Sequence, residues 1–231
     1  MQAIICAAGK GTRMGELSKH TPKPLLDVLG KSLIEHKIDA LPEKVTEVIC
    51  VVNHLQELIL ERLGGVYNGK KITCVTDVPL TGTDTAVRAC RDVVTGPFLV
   101  LMGDDLYHPK DMLEMSSMNC AILIHKEARD EALVGGKIVM NENGHIEEIL
   151  EGATISTGEH VNCGMYMLPL EYFSTTPVQI PNREEYGLPQ TIMGNKKNLP
   201  TISGTESRGY CQVTSPSDLP RAEDFVKKFL Q

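Results

Sequence analysis

The chain has 231 residues, enough for one large domain or two small ones. Lys plus Arg number 23 against 30 Asp plus Glu, a net charge of −7 that excludes a general nucleic-acid binder, which needs surplus cations to displace counterions. Hydrophobic residues reach 42%, too many for a disordered chain, while 6 Tyr, 4 Phe and no Trp leave little for a base-stacking platform.

The 7 cysteines, at positions 6, 50, 74, 90, 120, 163 and 211, are odd in number and never spaced as CxxC. They read as buried free thiols of a reducing compartment, which implies a cytoplasmic protein. No apolar run approaches the ~20 residues that span a bilayer. The opening stretch Met1–Gly11 has no charged segment before its apolar run, so it reads as neither leader nor anchor, and no membrane partner is expected.

In chain order, Gln2–Ala8 is a continuous apolar run, the mark of a strand buried on both faces. Glu47–Val52, Lys71–Thr76 and Phe98–Met102 repeat it. Helical spacing falls between them, over Ser32–Leu41, Leu55–Leu63 and Thr85–Val94. Strand and helix in alternation predict a parallel sheet covered on both sides. The second half changes texture. Ala121–His125 is a strand, and Lys137–Met140 and His145–Leu150 form a hairpin across Asn143-Gly144. Val161–Leu168 is a further strand, and Glu184–Met193 a helix limited by Pro189. Ser215, Pro216 and Asp218 start a last helix that runs to Leu230. With no repeat and no low-complexity linker, residues 1–231 read as one domain.

The first chemical signal is Gly9-Lys10-Gly11-Thr12-Arg13-Met14 after the first strand. Glycines there let backbone N–H groups approach a phosphate. The dinucleotide fingerprint fails because Met14 stands where its last Gly belongs, and the Walker A loop fails because Glu16 follows Gly15. Lys10 and Arg13, with Lys23 in the proline-flanked Thr21-Pro22-Lys23-Pro24-Leu25, put three cations round the loop, which suits a polyphosphate.

AAGKGTRM followed by TPKPLL resembles the signature of the sugar-phosphate nucleotidylyltransferases, the nucleotide-sugar pyrophosphorylases, with similarity over nearly the whole chain. The resemblance implies an α/β fold: a Rossmann-like three-layer sandwich with a mostly parallel mixed sheet and an antiparallel acceptor-side extension, GT-A-like. It implies transfer of a nucleoside monophosphate from a triphosphate to a phosphorylated small-molecule acceptor, foremost a sugar 1-phosphate, with release of pyrophosphate. Ala8, Gly9, Gly11, Thr12 and Arg13 would then hold the nucleotide and its phosphates, and Lys23 the α-phosphate and the incoming phosphate. No covalent nucleophile is required, and a homo-oligomer is left open.

A carboxylate directly after the buried strand Phe98–Met102 stands at a sheet's C-terminal edge, where ligands of open α/β folds bind. The resemblance makes Asp104 the Mg²⁺ ligand, with Asp105 as its neighbour. It also implies that Gly82 and Thr83 bind the nucleotide and that Asp77, or Thr76 if Thr81 is an insertion, reads the base. A carboxylate accepts only, which favours the donors of CTP or GTP over UTP or TTP. Gly136, Glu151 and Asn162 fall where the family surrounds the sugar. Two departures stand out. Many members have a Lys after the glutamate, and here Gly152 follows Glu151; many have a second metal carboxylate or an Asn where this chain has Gln212. They leave open a cytidylyltransferase for a non-sugar phosphate such as phosphocholine, and a non-catalytic nucleotide-sugar sensor on the same fold.

Overall fold

The computed structural model describes residues 1–231 except Lys10, His54, Asp77, Leu80 and residues 129–132, and omits the side chain of Lys19. In chain order the elements are β1 (Gln2–Cys6), α1 (Leu17–His20), β2 (Asp27–Val28), β3 (Lys31–Ser32), α2 (Leu33–Ala40), β4 (Glu47–Val51) and α3 (Gln56–Leu63). Then come β5 (Val66–Tyr67), β6 (Lys70–Val75), α4 (Thr83–Arg88), β7 (Phe98–Met102), β8 (Asp105–Tyr107), α5 (Pro109–Met115) and β9 (Ala121–Lys126). The chain ends with β10 (Leu133–Met140), β11 (Ile146–Ile155), β12 (His160–Leu168), α6 (Leu188–Gly194), β13 (Ser203–Glu206), β14 (Tyr210–Gln212) and α7 (Leu219–Phe229).

The main sheet runs β11-β10-β12-β7-β1-β4-β6-β5, with β9 on β12 and β13 on β9. Its centre is parallel: β1 pairs β4 and β7, and β4 pairs β6. Beyond β7 it turns antiparallel through β12 and the β10–β11 hairpin. This is the expected parallel sheet with an antiparallel extension.

Burial on both faces explains the unbroken apolar runs. Along β1, Ala3 and Ile5 enter one core cluster and Ile4 the other. Leu99 and Leu101 likewise oppose Phe98 and Val100 along β7. Successive residues of a strand point to opposite faces, so only a two-sided core makes every position apolar. A third cluster joins Met14 to Leu26, Val28, Leu106, Cys211, Phe225 and Val226, under α7. Met14, where a dinucleotide loop would carry glycine, is therefore the anchor that ties the glycine loop to the last helix.

Several boundaries differ from the sequence expectation. β1 stops at Cys6, where the Ala7 N–H turns to the Val51 carbonyl. α4 starts at Thr83 and ends at Arg88, far short of Val94. α6 starts at Leu188 rather than Glu184, with Pro189 in its first turn. The Tyr186 backbone is engaged elsewhere: its N–H donates to the Thr81 carbonyl and its carbonyl accepts from the Asp84 N–H. The strands β10 and β11 extend further than the short hairpin expected. The last helix follows its signals, with Ser215 and Asp218 forming a capping box on the turn that leads into α7.

Candidate active site

The parallel register brings the two strongest sequence signals together. Cys6 at the end of β1 pairs with Met102 at the end of β7, so the glycine loop and the Gly103–Asp104 turn leave the sheet side by side. The Gly103 N–H donates to the Cys6 carbonyl at 2.9 Å. A methyl on Gly103 would stand 2.5 Å from that oxygen, so the approach requires glycine.

Gly11 has φ +63°, and a methyl there would lie 3.2 Å from Lys23 Cβ. The Ser18 hydroxyl donates to the Gly11 carbonyl at 2.9 Å and braces the loop. Lys23 follows Pro22 and is buried. Its Nζ reaches the Asp104 carboxylate at 2.6 Å, with Lys23 8% and Asp104 32% exposed. A nearly buried ammonium and a half-exposed carboxylate are thus held at one sheet edge. Ala8 is buried beside them, while Gly9, Thr12 and Arg13 are exposed at the rim.

A second layer of charge lies beneath. Asp105 is buried; its Oδ2 accepts from the Tyr107 hydroxyl at 3.3 Å, and its Oδ1 has no hydrogen-bond partner among the described residues. Burial pushes its carboxyl well above the usual range, and the charge of Asp104 adds to this against the pull of Lys37 and Lys23. Lys37, on α2, is fully buried, and burial lowers it to about 8 against the pull of Asp105 and Asp104. Asp105 was legible in the sequence as the neighbour of Asp104, but Lys37, between His36 and Ile38, has no motif around it.

Strand β14 lies antiparallel to β8, pairing Gln212 with Asp105. Gln212 is exposed, and the Val213 N–H donates to the Asp104 carbonyl at 3.1 Å. The backbone at Gln212 and Val213 thus runs beside Asp104 and Asp105. An accessible carboxylate with the oxygens of a bound phosphate would suit Mg²⁺, which usually takes one or two carboxylates and keeps several waters. Among the described residues, no group of three His, Cys, Asp or Glu side chains could hold a metal ion unaided.

The acceptor-side residues also converge. A methyl on Gly136 would stand 2.9 Å from Glu151 Oε1 and 3.3 Å from Asn162 Cβ, so the three share one corner of β10, β11 and β12. Asn162 is partly engaged: its Nδ2 donates to the Tyr166 hydroxyl at 2.8 Å and its Oδ1 accepts from the Gly164 N–H at 3.0 Å. Glu151 is exposed as a residue, yet desolvation of its carboxyl by the surrounding chain raises it, and the charge of Arg183 pulls it back. The sequence reading missed Arg183; its only signal there is a cation in a loop before α6.

Gly82, with φ +111°, passes under the Tyr186 backbone, where a methyl would meet the Tyr186 carbonyl oxygen at 2.1 Å. The Thr83 hydroxyl accepts from the Leu188 N–H at 2.9 Å, so part of its capacity serves the fold. The stretch from Arg183 to Leu188 thus joins the Thr81–Thr83 turn to the Glu151 corner. Lys10 and the base-reading candidate Asp77 lie outside the described residues. Thr76, its alternative, is half-buried beyond β6.

A two-sided α/β sheet with a glycine loop, a buried lysine and a carboxylate at adjacent strand ends defines a phosphate-handling enzyme. The nucleotidyl transferase family model matches residues 2–190, and the chain belongs to that family. It is similar to the UTP–glucose-1-phosphate uridylyltransferase AglF of Haloferax volcanii, with 28% identity over 99% of this chain and 97% of the relative. Mannose-1-phosphate guanylyltransferase 1 of Arabidopsis thaliana is 33% identical over 73% of this chain but only 50% of its own length, so the chain spans about half of that relative. The inositol-1-phosphate CTP transferase of T. maritima shares the fold at a TM-score of 0.78, with 18% identity over 99% of this chain and 95% of the other.

Proposed function

We propose that this protein transfers a nucleoside monophosphate from a nucleoside triphosphate to a sugar 1-phosphate and releases pyrophosphate. The observation that carries the reading is the Lys23–Asp104 pair at 2.6 Å beside the glycine loop. The names of the similar proteins, which act on glucose 1-phosphate and mannose 1-phosphate, support the acceptor class.

An oxygen of the acceptor phosphate attacks the α-phosphorus in line. The new P–O bond forms as the bond to the bridging oxygen of pyrophosphate breaks, so no covalent enzyme intermediate is needed. The protein's task is positioning and charge neutralisation. The backbone from Ala8 to Thr12 holds the phosphates, Arg13 the β- and γ-phosphates, and Lys23 the charge that grows at the α-phosphorus. Bound at Asp104 with Gln212 beside it, Mg²⁺ would supply electrostatic stabilisation of phosphate oxygens. Gly136, Glu151 and Asn162 bind the sugar, with Arg183 as the cation nearest Glu151 where the family's lysine is missing. The seven free cysteines support a cytoplasmic setting. No described helix is long and apolar enough to cross a membrane.

The test is pyrophosphate release with each of four triphosphates and a panel of sugar 1-phosphates, phosphocholine and polyol phosphates, with and without Mg²⁺. Magnesium-dependent turnover with a sugar 1-phosphate supports the reading. Binding without turnover, or turnover confined to non-sugar phosphates, overturns it.

A further inference from the structure

Lys37 is 1% exposed in the middle of α2, on a helix whose inward residues Ile34 and Ile38 are fully buried. An apolar side chain there would avoid the cost of desolvating an ammonium. Replacing a buried ion pair by well-packed apolar residues is often neutral or stabilising, so fold stability alone does not account for a charge at this place.

Its contacts point to the site. Lys37 Nζ donates to the Met102 carbonyl at 2.5 Å, two residues before Asp104. The same short stretch is held on its other sides. The Met102 N–H donates to the Tyr107 hydroxyl at 3.3 Å, the Gly103 N–H to the Cys6 carbonyl, and the Asp104 carbonyl accepts from the Val213 N–H. Asp105, buried and with one oxygen unpartnered among the described residues, feels two cations, Lys37 and Lys23. Lys23 is committed to Asp104 in this state. Its other donors are the ones that can turn toward phosphate, and Lys37 stays on the Met102 carbonyl.

We propose that Lys37 is a positioning residue for the transfer site: through the Met102 carbonyl it holds the Gly103–Asp104 turn while Lys23 turns from Asp104 toward phosphate. The inference rests on the reading of Asp104 and Lys23 given above. The lysine never touches substrate, and its effect passes through the placement of Asp104.

The experiment is a double-mutant cycle on the full chain. Lys37→Met keeps the stem and removes the charge. Lys37→Met/Asp105→Asn also removes the buried carboxylate left uncompensated, and keeps the test open if the single variant does not fold. Each is combined with Asp104→Asn. Thermal unfolding, kcat and KM are measured, with Mn²⁺ affinity in the presence of a non-hydrolysable triphosphate read by electron paramagnetic resonance. The expected result is a double variant as stable as the wild type, with kcat at least about 10-fold lower and weaker Mn²⁺ binding, because misplacing a reacting-site group is costly. In that background Asp104→Asn should cost less than about 3-fold further, against about 100-fold in the wild type, since coupled residues are not additive. Unchanged kcat and Mn²⁺ affinity in the double variant, or a full Asp104→Asn penalty within it, overturns the proposal. If Asp104→Asn is silent in the wild type, the reading of the site itself has failed, which is a distinguishable outcome.

Discussion

Lys23 and Asp104 neutralise each other across 2.6 Å although 81 residues separate them in the chain. The glycine loop sets one side of this contact and the end of β7 the other. On the proposed reading, a lysine parked on a carboxylate is a cation already desolvated beside the phosphate site. Removing either residue leaves the other without its 2.6 Å partner.

Lys23→Ala and Arg13→Ala should each lose about 2–4 kcal/mol of transition-state stabilisation, the usual loss for a key electrostatic donor. The measurement is kcat/KM with circular dichroism to confirm the fold. Near-normal values in both variants would rule out the assignment of these cations to phosphate. Asp104→Asn should remove most turnover while the fold persists.

Gln212 faces Asp105 in the β14–β8 register, beside Asp104. An amide oxygen is a weaker ligand for a hard cation than a carboxylate. Gln212→Asp should therefore keep or raise activity and lower the Mg²⁺ concentration needed for half-maximal rate. A loss of activity with unchanged Mg²⁺ dependence would show that this position does not face the metal.

The glycine loop, Lys23 and Asp104 were legible in the sequence because their signals are local: glycines at a strand end, a proline-flanked lysine, a carboxylate after an apolar run. The parallel register then places them together. The end of α4 and the start of α6 were not legible, because backbone contacts between Thr81, Asp84 and Tyr186 override helix spacing. Lys37 was hidden for another reason. Among Glu35, His36 and Asp39 it looks like part of a solvated helix face, and only the packing of α2 against the site buries it.

Glu35 shows how acid should weaken the fold. Burial alone would raise its carboxyl, but the hydrogen bonds from Arg62 and Ser32 hold it below its ordinary value. A lowered folded value means that the unfolded chain binds the proton more readily. The stabilisation is present above the unfolded carboxylate range and is lost as pH falls through the folded value. Glu35→Gln removes the charge that pairs with Arg62 and keeps an amide oxygen for the capping box with Ser32. Urea unfolding at pH 7 and pH 3 should show the variant less stable at neutral pH, with the gap closing in acid. A gap that stays constant would remove Glu35 from the acid response.

The resemblance assigns base reading to the stretch before the Thr81–Thr83 turn. A carboxylate at Asp77 reading the base edge would accept from the amino group of cytosine or the N–H groups of guanine, and would repel the O4 of uracil. CTP or GTP should then exceed UTP and TTP in kcat/KM, and Asp77→Gln should move preference toward UTP. A site built to pair a donor can reject its absence strongly. Strong UTP or TTP preference in the wild type would remove Asp77 from base reading and leave the reaction class intact.

On the proposed reading, Glu151 and Arg183 should set the pH response of the acceptor side. Desolvation raises the Glu151 carboxyl above its ordinary value, and Arg183 opposes the rise. If the carboxylate accepts hydroxyls of the sugar, protonation weakens acceptor binding. The acid limb of kcat/KM for the acceptor should thus lie above the pH at which an exposed glutamate titrates. Arg183→Ala removes the opposing charge, so the limb should move to higher pH, and the acceptor KM should rise about tenfold through loss of a charge-assisted contact. Glu151→Gln should flatten the limb. The stability sign runs opposite to that of Glu35: the folded state binds this proton more tightly, so stability falls as pH rises from the unfolded value to the folded one. Because Glu151 is exposed, Glu151→Gln should change stability little and give the poorer enzyme. An acid limb unchanged in both variants would mean that this corner holds no acceptor, and that the close approach of Gly136, Glu151 and Asn162 serves only the hairpin.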